Sequence, residues 1–377
     1  MSVAKQTFDL IRNEICGKDF IKEEYDLKKI YILSKKHDLS HLIGDALYRN
    51  GMLSDDDISE RYKEDMATAV LRYEQQDAVF KIVKDLFDKN NIKFVPLKGA
   101  ILKDLYEIGW LRTSCDIDIL IGEENLGKAT EILTQNGFTT DNKKNFHDMH
   151  FFYDEIHLEL HFNVCENNKQ LDGLLSKVWD YTECFKGNEY REIPEYFVFH
   201  HIAHMAYHFM SGGCGIRPFI DLWILREKNY CDEDKLLVLI SESNLVKFYR
   251  SALMLVDIWF NGEEHCDLTR KMSRYVLTGG VYGTSSNSNA IGAAVSKGKR
   301  KYLLKIAFPP YKTMTLIYPT LNKHKMLLPL CYIHRIFVKL FGKDKERVER
   351  RIDNTLSQSE EKINELGNLL KELELHK

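Results

Sequence analysis

The stretch LKGAILKDLYEIGWLRTSCDIDILI, residues 97–121, decides the fold. It starts at the end of a short β-rich run, residues 92–97 (IKFVPL), turns at Lys98-Gly99 and continues with helix-like spacing. It closes on residues 117–121, a run of branched apolar side chains that predicts a second strand. Strand, helix and returning strand mark a unit in which the two element types alternate. Asp116 and Asp118 stand two apart on the second strand, so both carboxylates project from one face. Paired oxygen donors of this kind suit a hard divalent cation, Mg²⁺ or Mn²⁺.

Two-metal phosphoryl transfer asks for a third carboxylate from a neighbouring strand. Residues 156–164 alternate, placing His157, Glu159 and His161 on one face and Leu158, Leu160 and Phe162 on the other, so Glu159 is the candidate. Upstream, Leu97-Lys98-Gly99 closes a strand and opens a helix, where backbone N–H groups and the helix dipole favour a phosphate. Lys98 adds a charge there, and Arg112 and Ser114 are candidates to contact a triphosphate, by a fork of donors and by a hydroxyl.

Working outward, residues 1–90 carry apolar positions at three- and four-residue steps and predict an N-terminal helical region stopped by Asn90-Asn91. Residues 91–172 form the expected catalytic core, which also holds a helix over 124–135 and a strand over 149–153. The aromatic run Phe151, Phe152 and Tyr153 either stacks a base or fills a buried strand. Helical spacing returns over 173–277, with helices expected at 196–210, 219–226 and 235–260. In the first of these His200, His204 and His208 share one face, which reads as a core or substrate-lining row rather than a metal site. Arg217 and Asp221, one turn apart, are expected to pair with each other.

Residues 278–298, rich in Gly, Ser and Asn, read as a mobile loop or lid. In the final region, residues 299–377, Ile352, Leu356, Ile363, Leu366, Leu370 and Leu373 recur at heptad spacing broken by Ser359. They predict a terminal helix that docks on the chain or dimerises.

The chain's 377 residues are enough for about two domains, and 44% hydrophobic with 29% charged residues excludes a disordered or fibrous chain. The eight cysteines include no CxxC pair, and no stretch has the apolar length of a signal core or a membrane span, so a reduced cytoplasmic setting is expected. The net charge of −3 speaks against a polyanion-coated protein, but it is an average. Residues 297–351 hold 15 Lys/Arg against three Asp/Glu, a local balance of +12 with aromatic and apolar groups interleaved. That segment suits a phosphate-rich ligand, RNA or an anionic membrane surface, including a peripheral place at the inner membrane, or else it is a basic solvated helix pair covering the acidic core.

Taken together, Leu97-Lys98-Gly99, Tyr106, Arg112, the run Asp116-Ile117-Asp118-Ile119-Leu120 and Glu159-Leu160-His161 resemble the DNA polymerase β-like nucleotidyltransferase superfamily, specifically an uncharacterised bacterial branch. The helical lead-in, the His-rich helix and Arg217 with Asp221 look like parts of the same branch. The resemblance implies an α+β fold, a small mixed sheet with flanking helices embedded between N-terminal and C-terminal helical regions. It implies transfer of a nucleoside monophosphate from an NTP, ATP among the candidates, to an acceptor hydroxyl or phosphate, with release of pyrophosphate. Asp116 and Asp118 would hold two Mg²⁺, and Glu159 would complete the second site and help deprotonate the acceptor. His157, His161, His204, His208, Arg217 and Asp221 are the acceptor-pocket candidates.

One departure concerns Ala100, which stands where that signature carries Ser or a second Gly, with 15 residues between it and Asp116. Ser114 or Lys98 would then supply the phosphate contact. The resemblance favours a small molecule or a surface-polysaccharide precursor as acceptor. Two alternatives stay open: a toxin-like nucleotidyltransferase that modifies RNA ends, and a non-catalytic scaffold that kept the fold.

Overall fold

A computed structural model describes residues 2–19, 24–342 and 345–376. Lys343 and Asp344 of the basic segment lie outside the described residues. The N-terminal region is helical as expected: α1 (Val3–Cys16), α2 (Leu27–Lys36), α3 (Ser40–Arg49) and the 33-residue α4 (Asp57–Lys89). Asp56 starts α4 by accepting from the N–H groups of Ile58 and Ser59, and Asn91, in the left-handed region at φ 51°, turns the chain into the sheet.

The sheet has seven strands: β1 (Phe94–Pro96), β2 (Ile117–Ile121), β3 (Thr139–Lys144), β4 (Asp148–Tyr153), β5 (Ile156–His161), β6 (Thr182–Lys186) and β7 (Glu189–Glu192). Their order is β3-β4-β5-β2-β1-β7-β6, with β2–β5 and β1–β7 parallel and the other pairs antiparallel. The fold is therefore α+β with a mixed sheet and flanking helices. Two hairpin partners were not legible: β3, whose TTDNKK is polar, and the β6–β7 ribbon, which carries the sheet past residue 172, the expected end of the core.

Alternation sorts the two faces. Ile117, Ile119, Ile121, Leu158 and Leu160 pack with Val83 and Phe87 of α4 and with Ala129 and Leu133 of α6 (Leu126–Gln135). The opposite face carries Asp118, Glu159 and His161, with α5 (Lys98–Leu102), α7 (Lys169–Leu175) and α8 (Pro194–Ser211) on that side. Leu120 and Val95 join these helices in the larger core, which continues through α9 (Arg217–Glu227), α10 (Glu233–Glu242), α11 (Val246–Val256) and α12 (Asp267–Gly279). The helix expected over 235–260 is broken at Asn244, where φ reaches 52°.

The Gly/Ser/Asn-rich stretch is not a loop throughout. Residues Ser285–Val295 form α13, capped by Thr284 and buried at Asn287, Asn289, Ala290, Ile291 and Ala293. Small side chains let this helix sit deep: a Cβ at Gly292 would lie 2.2 Å from the Tyr302 ring. Beyond it come α14 (Lys299–Ala307), α15 (Tyr311–Ile317), α16 (Leu328–Phe341), α17 (Lys345–Leu356) and α18 (Glu360–Glu372). Ser359 does interrupt the heptads, as the N-cap of α18. Ile363, Leu366, Leu370 and Leu373 are buried in the chain's own core beside Ile291, which leaves them unavailable to a dimer seam.

Candidate functional site

β2 and β5 run parallel with Asp118 directly opposite Glu159, so the two carboxylates sit side by side on one face of the sheet. His161 joins them, its Nε2 3.0 Å from Asp118 Oδ1 and 3.6 Å from Glu159 Oε2. Donor atoms of Asp118, Glu159 and His161 all lie within 4.8 Å of one another, close enough for one cation. Asp116 enters the same cavity, a space of about 440 Å³ that also takes in Lys98, Gly99, Arg112 and Ser114 and reaches to His204, His208, Arg217 and Asp221. His157 is the exception: it lies outside the cavity, stacked between the rings of His150 and Phe152. Of the aromatic run, Phe151 is core and Phe152 is spent on that stack.

The electrostatics describe a site short of positive charge. Burial, with the Asp118 and Glu159 charges beside it, pushes the Asp116 carboxyl up to about 7. Burial also works to raise Asp118, but the hydrogen bond and charge of His161, with Lys98 behind, overcome it and hold that carboxyl below its ordinary value. His161 shows the mirror effect: burial opposes its charge, yet the two carboxylates lift it to about 9. Three acidic groups thus share one imidazolium and one half-buried ammonium, and burial draws Lys98 below its ordinary value. The oxygen-rich donor set around Asp118 and Glu159 fits a divalent cation.

α8 forms the opposite wall, and its histidines are held by carboxylates that sequence reasoning missed. His200 Nδ1 lies 2.8 Å from Glu192 at the end of β7, and His204 Nδ1 lies 2.9 Å from Glu166 in the turn after β5. His208 Nε2 meets His204 Nε2 at 2.9 Å. Burial, then the Lys98 charge and the neighbouring imidazoles, holds His204 well below its ordinary value, although its side chain keeps 37% exposure toward the cavity. It borders the site as a neutral imidazole.

Two expectations are corrected by the side-chain partners. Arg217 and Asp221 do not pair with each other. Arg217 Nη2 donates to the Asp38 carboxylate, to the Asp38 carbonyl at 2.9 Å and to Thr113 Oγ1 at 3.1 Å, pinning α9 to the α2–α3 turn. Asp221, fully buried, takes Arg112 through Nε at 3.2 Å and Nη2 at 3.1 Å, plus the Tyr106 hydroxyl at 2.7 Å. Arg112 Nη1 also donates to the Thr113 carbonyl, so three of the five guanidinium N–H groups are engaged within the chain, and Nη1 and Nη2 each keep one for the cavity that Arg112 lines. Ser114 Oγ is turned to the Asp116 carbonyl at 2.8 Å and to Gln76. Lys98, Gly99, Arg112 and Ser114 all line the cavity, Lys98 and Gly99 without a side-chain tie of this kind.

Residues 280–284 complete the wall with Val281 and Tyr282, whose hydroxyl lies 3.2 Å from Cys115 Sγ. No motif pointed to Tyr282, Glu166, Glu192 or Asp38; each is a polar residue in a turn or at a strand end. No curated protein and no solved structure matches the chain. A family profile described as "uncharacterised nucleotidyltransferase" matches residues 23–261, a span that holds the whole sheet, α8 and α9. With this match over more than half of its length, the chain belongs to that nucleotidyltransferase family.

Proposed function

We propose that this protein is a divalent-metal-dependent nucleotidyltransferase that moves a nucleoside monophosphate from an NTP to a small acceptor. The observation that carries the reading is that Asp116, Asp118 and Glu159 line one cavity together with Lys98. Asp116, Asp118 and Glu159, with His161 beside them, are the residues that would hold Mg²⁺ or Mn²⁺. Such an ion, when bound, neutralises phosphate oxygens and polarises the phosphorus.

The chain's own groups do the rest. Lys98 offers its ammonium, and Gly99 its lack of a side chain, to the triphosphate. The acceptor oxygen attacks the α-phosphorus, the bond from that phosphorus to the bridging oxygen breaks, and pyrophosphate leaves. Glu159 takes the acceptor proton, and the neutral His204, oriented by Glu166, lines the acceptor side. His161, bonded to Asp118 and close to Glu159, holds those carboxylates in register on the sheet face. The Arg112–Asp221 and Arg217–Asp38 pairs position the walls rather than the phosphates.

The test is incubation of the protein with each labelled NTP, Mg²⁺ and cell extract, followed by separation of RNA, protein and small molecules. Label is expected in a small molecule, among which a surface-polysaccharide precursor is one candidate. Asp118→Asn should lower transfer by at least about a hundredfold because it removes a metal ligand. It should also lower the melting temperature because it removes the charge that answers His161 and Lys98, so transfer is compared at a temperature where circular dichroism shows both proteins folded. Full transfer by Asp118→Asn overturns the reading. Label in RNA ends would instead favour the toxin-like alternative, for which the basic C-terminal segment speaks. Absence of NTP binding would favour the scaffold.

A further inference from the structure

Residues 297–342 contain ten Lys/Arg and no Asp or Glu. Among the described residues, twelve of the chain's 24 large exposed apolar side chains also fall here, between Leu304 and Phe341. Charge of one sign and apolar exposure are therefore concentrated in the same tenth of the sequence. α16 shows how. Leu330, Ile333, Phe337 and Phe341 recur at three- and four-residue steps and form one stripe, at 62%, 65%, 62% and 72% exposure. The stripe faces solvent. The inward side mixes the half-buried Leu328, Cys331 and Ile336 with polar anchors: Arg335 donates to the carbonyls of Ile306 and Ala307 at 3.1 and 3.0 Å, and the Tyr332 hydroxyl donates to the Pro309 carbonyl at 2.6 Å. Met326, at the entry to the helix, is 93% exposed.

A helix that leaves a continuous stripe of large apolar side chains in water needs a cover. We propose that this surface docks on an anionic lipid bilayer. Such a bilayer supplies both complements at once, hydrocarbon for the stripe and negative headgroups for Lys301, Lys305, Lys312, Lys323 and Lys325, all of them exposed. A second copy would bring the same uncompensated positive charge against its own image. RNA would answer the lysines but leave the aliphatic stripe in water. At 14 residues α16 is about 21 Å long, short of the ~30 Å hydrocarbon core, so it lies in the interface plane. No helix among the described residues is long and apolar enough to cross a membrane.

Flotation of the full-length protein with vesicles tests this, comparing phosphatidylcholine alone with phosphatidylcholine containing phosphatidylglycerol. Co-flotation is expected with the mixed vesicles only, and it should fade as salt is raised. Phe337→Ser with Phe341→Ser, both on the exposed face, should abolish it without lowering the melting temperature. Met326→Ser with Ile333→Ser repeats the test should the first pair fail to fold. Lys301→Gln and Lys305→Gln should each weaken binding about fivefold. The proposal is overturned by absence of flotation, or by binding indifferent to phosphatidylglycerol or to both apolar pairs. It is equally overturned if the phenylalanine pair instead dissociates a dimer in sedimentation, or if RNA is bound and vesicles are not.

Discussion

Asp221 shows how one side chain can set the shape of the site without meeting a substrate. It is fully buried and answers both Arg112 and the Tyr106 hydroxyl, so its removal leaves a guanidinium unpaired away from water. Asp221→Ala should cost about 3–5 kcal/mol, read from urea unfolding. The spacing of Arg217 and Asp221 suggested a pair because residues one turn apart can meet on a helix surface. On a buried helix each instead met the element packed nearest to it, which spacing does not report. The candidate carboxylates were legible for the opposite reason: strand alternation fixes which side chains share a face whatever the surroundings.

A second residue-scale consequence lies far from the site. Glu14, with a side chain 2% exposed, sits beside Asp45, and Arg49 reaches it only at 3.7 Å. Burial, then the Asp45 charge, pushes the Glu14 carboxyl up from 4.5 to about 8. The folded chain therefore holds this proton more tightly than the unfolded one. Its contribution to stability is complete below about 4.5 and is lost as pH rises to about 8. Glu14→Gln should flatten thermal stability across that window and raise it at the alkaline end, in melts recorded as a function of pH.

Among the elements, the segment 278–298 best separates what composition shows from what packing requires. Gly, Ser and Asn signal a loop when exposed, but the same small residues also permit backbones to approach. Gly283, at φ +71°, has its Cβ position 2.3 Å from the Gly212 carbonyl carbon, so the chain here passes directly over the end of α8. Gly283→Ala should cost about 1–3 kcal/mol from the backbone conformation, with the collision added. The variant should melt lower and also lose transfer, because Val281 and Tyr282 of the cavity wall move with it. The strands β3, β6 and β7 escaped notice because edge ribbons with polar side chains lack the apolar alternation that β2 and β5 display. In α16 the interleaving of basic, aromatic and apolar groups was visible, whereas which side faces in depends on neighbours that composition does not name.

Across the whole molecule, the terminal helix is a structural clamp. Leu370 of α18 is buried in the core that also holds Ile291 of α13. Leu370→Ala should cost about 2–5 kcal/mol and leave the sedimentation coefficient of the folded protein unchanged, which separates docking from dimerisation. The heptad spacing revealed the apolar seam, but whether its partner came from the same chain was a matter of tertiary packing.

The cavity wall draws on residues from His37 to Tyr282. During synthesis the acidic trio is complete once residue 159 has been added, but Tyr282 follows 123 residues later. At ~5–20 residues per second, roughly 6–25 s pass between those events. Over that interval the growing polypeptide carries the three carboxylates without the walls that enclose them. On the proposed reading, transfer is a property the chain acquires late in translation, and products terminated before Tyr282 are expected to lack it.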